Sequence, residues 1–226
     1  PTTLLAQVDS SVGGKVAVDL QAGKNLAGAF YQPGMVLMDP DCLKTLPDRV
    51  FSDGMAEVIK YGCIWDADLF KNLEAHTSFE DLKKDLTEVI YRCVDIKRIV
   101  VEHDQFDTGE RMLLNFGHTL GHAIEKYYNY TGMSHGYAVA IGMSTFTHIA
   151  ERRGMCRPGV SEKLDALLNK CHLPLTTEAP MDDLFRNSLG DKKRLSSGMN
   201  IIICPDIGES KICSMSIDEY ENFLKG

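Results

Sequence analysis

Apolar residues at Leu82, Leu86, Val89, Cys93, Ile96 and Val100 alternate spacings of four and three, which predicts an amphipathic helix with one buried face. The same period runs through Arg49 to Ile64, with Val50, Met55, Val58 and Ile59, and through residues 111–129, 135–153, 158–171 and 181–189. Towards the C-terminus the pattern changes. Asn200 to Cys204 and Lys211 to Met215 are short apolar runs around a Gly-containing turn, which predicts a small β-hairpin. Ser216 and Glu219 then form a capping box that opens a terminal helix. At the other end, Thr2 to Ser11 predicts a short helix stopped by Gly13-Gly14, and Val16 to Leu20 predicts a strand. Gly23-Lys24-Asn25 reads as a turn, and Met35 to Met38 as a short apolar strand closed by Asp39-Pro40. Nothing before residue 46 would make a core by itself. The pattern therefore predicts an α/β N-terminal remnant over residues 1–46, followed by a mainly α-helical domain over 47–226.

The bulk numbers narrow the function classes. With 226 residues, 44% of them hydrophobic, the chain has ample core material. A formal charge of -8 argues against nucleic acid or an anionic membrane as the main partner. No apolar run approaches the roughly 20 residues needed to span a bilayer, and no signal peptide is visible. The seven cysteines (Cys42, Cys63, Cys93, Cys156, Cys171, Cys204, Cys213) are scattered, odd in number and without a Cys-x-x-Cys pair. Reduced thiols in a cytoplasmic protein are expected from that pattern. The chain opens at Pro1 inside a structured-looking segment, so a further N-terminal portion is expected to precede it.

Candidate chemistry concentrates in Arg111-Met-Leu-Leu-Asn115-Phe-Gly-His118-Thr-Leu-Gly-His122-Ala-Ile-Glu125. Read as one helix, it projects His118 and His122 from one face, with Arg111 and Asn115 extending that face by two turns. Two core histidines would be the ordinary reading of such a pair, but His135 opens the next helical stretch. His118 and His135 with a carboxylate from a third helix would make a two-histidine, one-carboxylate metal site. Glu57, in an otherwise apolar helix, is the candidate carboxylate; an ordinary surface ion pair with Lys60 is the alternative. A second set is basic: Lys15, Lys24, Lys60, Lys97, Arg111 and Lys192-Lys193 sit in glycine-rich or apolar contexts. Together they suit an anionic, polyhydroxylated small molecule such as a sugar phosphate carboxylate.

Longer motifs carry a resemblance. Pro1 to Lys15, Gly23-Lys-Asn-Leu-x-Gly-Ala-Phe-Tyr-Gln-Pro33, Thr45-Leu-Pro47, Ala56 to Gly62, Leu114 to Glu125, His135-Gly and Asp191-Lys-Lys193 run in one order along nearly the whole chain. This set resembles the 3-dehydroquinate synthase family of sugar phosphate cyclases. The resemblance implies a dehydroquinate synthase-like fold, in which residues 1–46 end a nucleotide-binding domain and the helical domain binds metal and substrate. It implies cyclisation of 3-deoxy-D-arabino-heptulosonate 7-phosphate to 3-dehydroquinate with loss of phosphate, a shikimate-pathway step towards chorismate and the aromatic amino acids. NAD would transiently oxidise the substrate's C5 hydroxyl and be regenerated, and a divalent ion, Zn2+ or Co2+, would polarise the oxygen being oxidised. By position, Glu57, His118 and His135 match the metal ligands. His122, Asp107 and Lys60 match the catalytic set, with Asp107 where a Glu is usual. Lys15, Asn25, Lys60, Lys97, Arg111, Asn115, Lys192 and Lys193 match substrate contacts. Thr2, Thr3, Asp9, Lys24 and the run Cys42, Leu43, Lys44, Thr45 match dinucleotide contacts. A homodimer is also implied.

The chain departs from the family pattern at Val16 (usually Thr), Asp19 (usually Asn) and Tyr137 (usually Glu after His-Gly). Alternatives remain at this point: another sugar phosphate cyclase, a metal-dependent alcohol dehydrogenase of the glycerol type, or a truncated metal-binding fragment without activity.

Overall fold

The computed structural model describes residues 1–20, 23–84, 86–189 and 198–225, with the backbone alone at 19 and 23–26. Its core is organised around helix α1 (Asp48–Ile64), which is buried without interruption from Gly54 to Ile64. The apolar positions alone would bury one stripe; the whole circumference of that stretch can be covered because its two charged residues, Glu57 and Lys60, pair with each other inside. Around α1 pack α2 (Ala67–Ala75), α4 (Leu86–His103), α6 (His135–Arg152) and α7 (Val160–Lys170), while the single turn α3 (Phe79–Leu82) adds Phe79 and Leu82 to the same core. A second core lies on the other side of α6. There α5 (His118–Tyr127) and α8 (Met181–Leu189) meet strand β3 (Met199–Ile203) and α9 (Ile217–Leu224). Strand β3 pairs antiparallel with β4 (Lys211–Met215), Met199 opposite Met215, which is the hairpin the two apolar runs predict. The capping box forms too: Ser216 Oγ accepts from Glu219 N at 3.2 Å, and Glu219 Oε2 accepts from Ser216 N at 2.7 Å.

Three expectations change. The chain pairs β1 (Lys15–Leu20) antiparallel with β2 (Gly23–Phe30), Leu20 opposite Gly23, so the expected turn at 23–25 already belongs to a strand. Met35 to Met38 forms no strand: Met35 is 82% and Leu37 81% exposed, and no described strand lies beside them to satisfy their backbone groups. The third change matters most. Residues 111–129 are not one helix but a 3-10 segment (Glu110–Asn115), a break at Phe116-Gly117, and then α5.

The break has a packing cause. Gly117 holds φ +77, where L side chains are strained, and a Cβ there would sit 2.5 Å from Met143 Cγ and 2.7 Å from the Val139 carbonyl oxygen. A Cβ on Gly142 would in turn lie 2.1 Å from Gly117 O, so α5 and α6 touch backbone to backbone. Gly117→Ala combines left-handed strain with overpacking and should cost roughly 2–4 kcal/mol in urea unfolding. A loss below about 1 kcal/mol would mean the two helices can part without penalty.

Candidate functional site

Glu57, His118 and His135 reach one point from α1, α5 and α6. The contact between α1 and α6 is built by Asp53, one turn before Glu57. Its Oδ1 accepts from Gly136 N at 2.8 Å and Tyr137 N at 3.3 Å, capping α6 where Ser134 makes no cap bond of its own. Gly136 permits the approach, since a Cβ there would lie 1.9 Å from Asp53 O. His135, the first residue of α6, is thereby set against Glu57. The Gly117 break does the same for His118 at the start of α5.

Glu57 Oε1 lies 3.2 Å from His118 Nε2 and 3.4 Å from His135 Nε2, and the three potential ligand atoms all fall within 4.8 Å of one another. Both Glu57 oxygens are buried and make no hydrogen bond of acceptable geometry, although Oε2 is ion-paired to Lys60. Buried carboxylate oxygens are normally satisfied, so Oε1, beside two imidazole nitrogens, fits a cation. Two imidazoles and one carboxylate form a donor set for zinc or cobalt with a coordination position left open. His118 Nδ1 faces the Phe116 carbonyl at 3.1 Å, which leaves Nε2 as the ring's lone-pair nitrogen.

The electrostatics are those of a tightly packed charge cluster. Burial alone would push the Glu57 carboxyl up, but Lys60 and His118 more than reverse this and hold it well below the usual carboxylate range. Burial pushes the His118 imidazole down against the pull of Glu57. For His135 the balance is opposite: burial lowers it, but Glu125 and Glu57 together raise it to about 10. Away from the triad the charges alternate. Lys60 Nζ is 4.0 Å from Asp9 Oδ1, Asp9 Oδ1 is 3.0 Å from Lys97 Nζ, and Tyr61 donates to the same oxygen at 2.7 Å. The ordinary reading of Glu57 and Lys60 as a surface pair is thus excluded, since their side chains are 1% and 2% exposed.

The other candidate residues are only partly gathered. His122 and Asn115 join His118 in lining a cavity of about 630 Å³, which also meets Lys126, Asn187 and Asn200. Arg111 does not share that face, contrary to the one-helix reading. It is buried before the break, its Nη1 and Nη2 donating to Gln105 O at 2.8 Å and Gly13 O at 2.9 Å. Lys97 also reaches the N-terminal segment, donating to Asp9 O at 2.6 Å. Asp107, at φ +60, pairs with Lys15 at 2.5 Å. Its loop is held by Asp104, which accepts from the Thr108, Gly109 and Arg111 N–H groups; those bonds lower the Asp104 carboxyl to about 2. Lys192 and Lys193 lie outside the described residues, as do the side chains of Lys24 and Asn25.

The dinucleotide candidates are dispersed. Thr3 Oγ1 accepts from Ala6 N at 3.2 Å, Thr2 is exposed, and Asp9 is engaged by lysines. Leu43 and Lys44 line a groove of about 520 Å³ with Lys83 and Lys84, whereas Cys42 and Thr45 do not. Among the described residues these positions make part of a wall rather than an enclosed dinucleotide site. Tyr137, two residues after His135, has its ring 5.7 Å from the Arg49 guanidinium carbon.

One residue was missed by the sequence reading. Glu125 is buried on α5, with Oε2 2.8 Å from His122 Nδ1 and 3.5 Å from His135 Nδ1. Its signal was available: positions 118, 122 and 125 are spaced four and three, so Glu125 shares the histidine face.

Comparison with known proteins converges on one family. The profile described as 3-dehydroquinate synthase N-terminal matches residues 1–53, and that described as 3-dehydroquinate synthase C-terminal matches residues 54–194. The chain is 52% identical over 222 residues to a 3-dehydroquinate synthase of Clostridium perfringens (strain SM101 / Type A), covering 98% of this chain and 63% of that protein. A 3-dehydroquinate synthase of Enterococcus faecalis (strain ATCC 47077 / OG1RF) is 44% identical over 225 residues, 99% of this chain and 63% of the relative. The chain thus spans about 63% of the length of these relatives. Among solved structures, 2-deoxy-scyllo-inosose synthase complexed with carbaglucose-6-phosphate, NAD+ and Co2+ superposes with a TM-score of 0.83 at 28% identity, covering 100% of this chain and 66% of that one. ValA, the 2-epi-5-epi-valiolone synthase of Streptomyces hygroscopicus subsp. jinggangensis 5008 with NAD+ and Zn2+ bound, shares the fold with a TM-score of 0.88 at 24% identity, covering 100% of this chain and 64% of that one.

Proposed function

The chain belongs to the 3-dehydroquinate synthase family, and from that premise we propose that it carries the metal- and substrate-binding part of a 3-dehydroquinate synthase. The reaction would be cyclisation of 3-deoxy-D-arabino-heptulosonate 7-phosphate with elimination of phosphate. The observation that carries this reading is the buried carboxylate of Glu57 facing two imidazole Nε2 atoms beside a polar cavity. Glu57, His118 and His135 would hold the ion, and Lys60 would keep Glu57 ionised and in place. When bound, the divalent ion would act as a Lewis acid on the substrate hydroxyl, and NAD+ would accept and return its hydride.

The chain's own groups divide the remaining work. His122, on the cavity wall next to His118, would take and return a proton at Nε2, because its Nδ1 is turned to Glu125. Asn115 would hydrogen-bond a substrate hydroxyl in the same cavity. Lys15 with Asp107, and the cluster Lys97–Asp9–Lys60, would form the anionic-substrate wall on the N-terminal side. Thr2, Thr3, Asp9, Lys24 and Cys42 to Thr45 would give one side of the dinucleotide site. The shorter Asp107 in place of a usual Glu is matched here by Lys15, which closes to 2.5 Å.

A second reading, another sugar phosphate cyclase, is favoured by the close superposition on 2-deoxy-scyllo-inosose synthase, but identities of 44–53% to 3-dehydroquinate synthases against 28% rank it lower. The test is phosphate release by the chain extended to the length of its relatives, with NAD+ and zinc supplied. Turnover of the heptulosonate phosphate is expected, and none of sedoheptulose 7-phosphate. Activity confined to the latter would sink the proposal.

A further inference from the structure

Glu125 has no part in the ligand set or the cavity wall, yet it is a carboxylate near the end of α5 on the histidine face, its side chain 3% exposed. Burying such a group is costly unless it has partners that need it. Its Oε2 faces two imidazoles from different helices, His122 Nδ1 on α5 at 2.8 Å and His135 Nδ1 on α6 at 3.5 Å. The two rings lie 5.8 Å apart between centroids, so one oxygen serves both.

A neutral imidazole carries one N–H and one lone pair, and a hydrogen-bond acceptor at one nitrogen decides which is which. An ionised carboxylate accepts only. With Oε2 at both Nδ1 atoms, each ring carries a proton there and, in its neutral form, presents its lone pair at Nε2. For His135 that lone pair points at the Glu57 side, 3.4 Å from Oε1. For His122, whose side chain is 62% exposed, it opens on the 630 Å³ cavity. His118 reaches the same state through a backbone carbonyl instead.

We propose that Glu125 is a shared positioning residue, one carboxylate that sets the tautomer and orientation of both the ligand His135 and the cavity histidine His122. It ties metal affinity to the proton-accepting state of His122, so that one substitution should alter both. The affinity half of this statement rests on the metal reading given above; the His122 half does not.

The measurements are a Co2+ titration of the purified chain followed by visible absorption, and histidine tautomers by long-range proton–nitrogen correlation NMR. In the wild type His122 should be Nδ1-protonated. Glu125→Leu, which removes the shared acceptor, should weaken Co2+ roughly 10–100-fold and move His122 toward the Nε2-protonated form. His122→Ala should keep Co2+ affinity within about twofold of wild type. An Nε2-protonated His122 in the wild type overturns the proposal without any variant being needed. So does a folded Glu125→Leu chain with unchanged affinity and an unchanged His122 tautomer. If His118→Ala still binds Co2+ as tightly as wild type, the metal reading is what has failed, and the His122 tautomer then decides the role of Glu125.

Discussion

Replacing His118 by alanine should lower zinc affinity by roughly 10²–10³-fold, while His122→Ala leaves it nearly unchanged. Structural zinc sites bind with roughly 10–16 kcal/mol shared among four ligands, so one ligand is worth about 3–4 kcal/mol, and each 1.4 kcal/mol is tenfold. His118 Nε2 is 3.2 Å from Glu57 Oε1, inside the cluster; the Nδ1 of His122 is turned to Glu125 instead. The two histidines are one helical turn apart and chemically identical, so the contrast tests position rather than residue type. Competition titration against a zinc-sensitive dye would read both affinities, and metal content after dialysis would confirm them. Equal loss in the two variants would mean the roles are assigned wrongly.

The second large effect concerns stability. Lys60→Met, measured in urea with a chelator present, should destabilise the chain by about 3–5 kcal/mol, because it strips the counter-charge from a carboxylate buried at 0% exposure. Saturating zinc should recover most of that loss, since the ion supplies positive charge at the same carboxylate and binds only the folded chain. The recovery should exceed the stabilisation zinc gives the wild type. A Lys60→Met chain within about 1 kcal/mol of wild type in chelator would show that Glu57 is neutral or solvated. The sign with pH follows from the same pair. Glu57 is held well below 4.5, so its contribution to stability is complete above that value and is lost as pH falls through its folded pKa.

Both experiments probe features of different legibility. The helices Asp48–Ile64, Leu86–His103, His135–Arg152, Val160–Lys170 and Met181–Leu189 follow directly from periodicity, because burial of one face selects period 3.6 locally, and the hairpin Met199–Met215 follows from two short apolar runs around a turn. The ligand types were legible as well, since charged and imidazole groups in apolar helices are costly without a purpose. Gly23 to Asn25 reads as a turn because a Gly-Lys-Asn run suits one, and only pairing with Lys15 to Leu20 makes it the start of a strand. Strand formation depends on a neighbour, and Met35 to Met38, equally apolar, has none beside it among the described residues.

The stretch from Arg111 to Glu125 shows the division most clearly. Its residues determine by themselves that an amphipathic helix carries His118, His122 and Glu125 on one face, because that follows from a spacing of four and three. They do not determine that the helix begins only at His118. That is decided by α6, whose Gly142 brings its backbone against Gly117 and forces a left-handed residue there. Nor do they determine that Glu57 faces both histidines, since Asp53 capping α6 is what brings α1 and His135 together. Periodicity is a property of neighbours along the chain; a carboxylate and two imidazoles from three helices meet only where close backbone packing brings those helices into register.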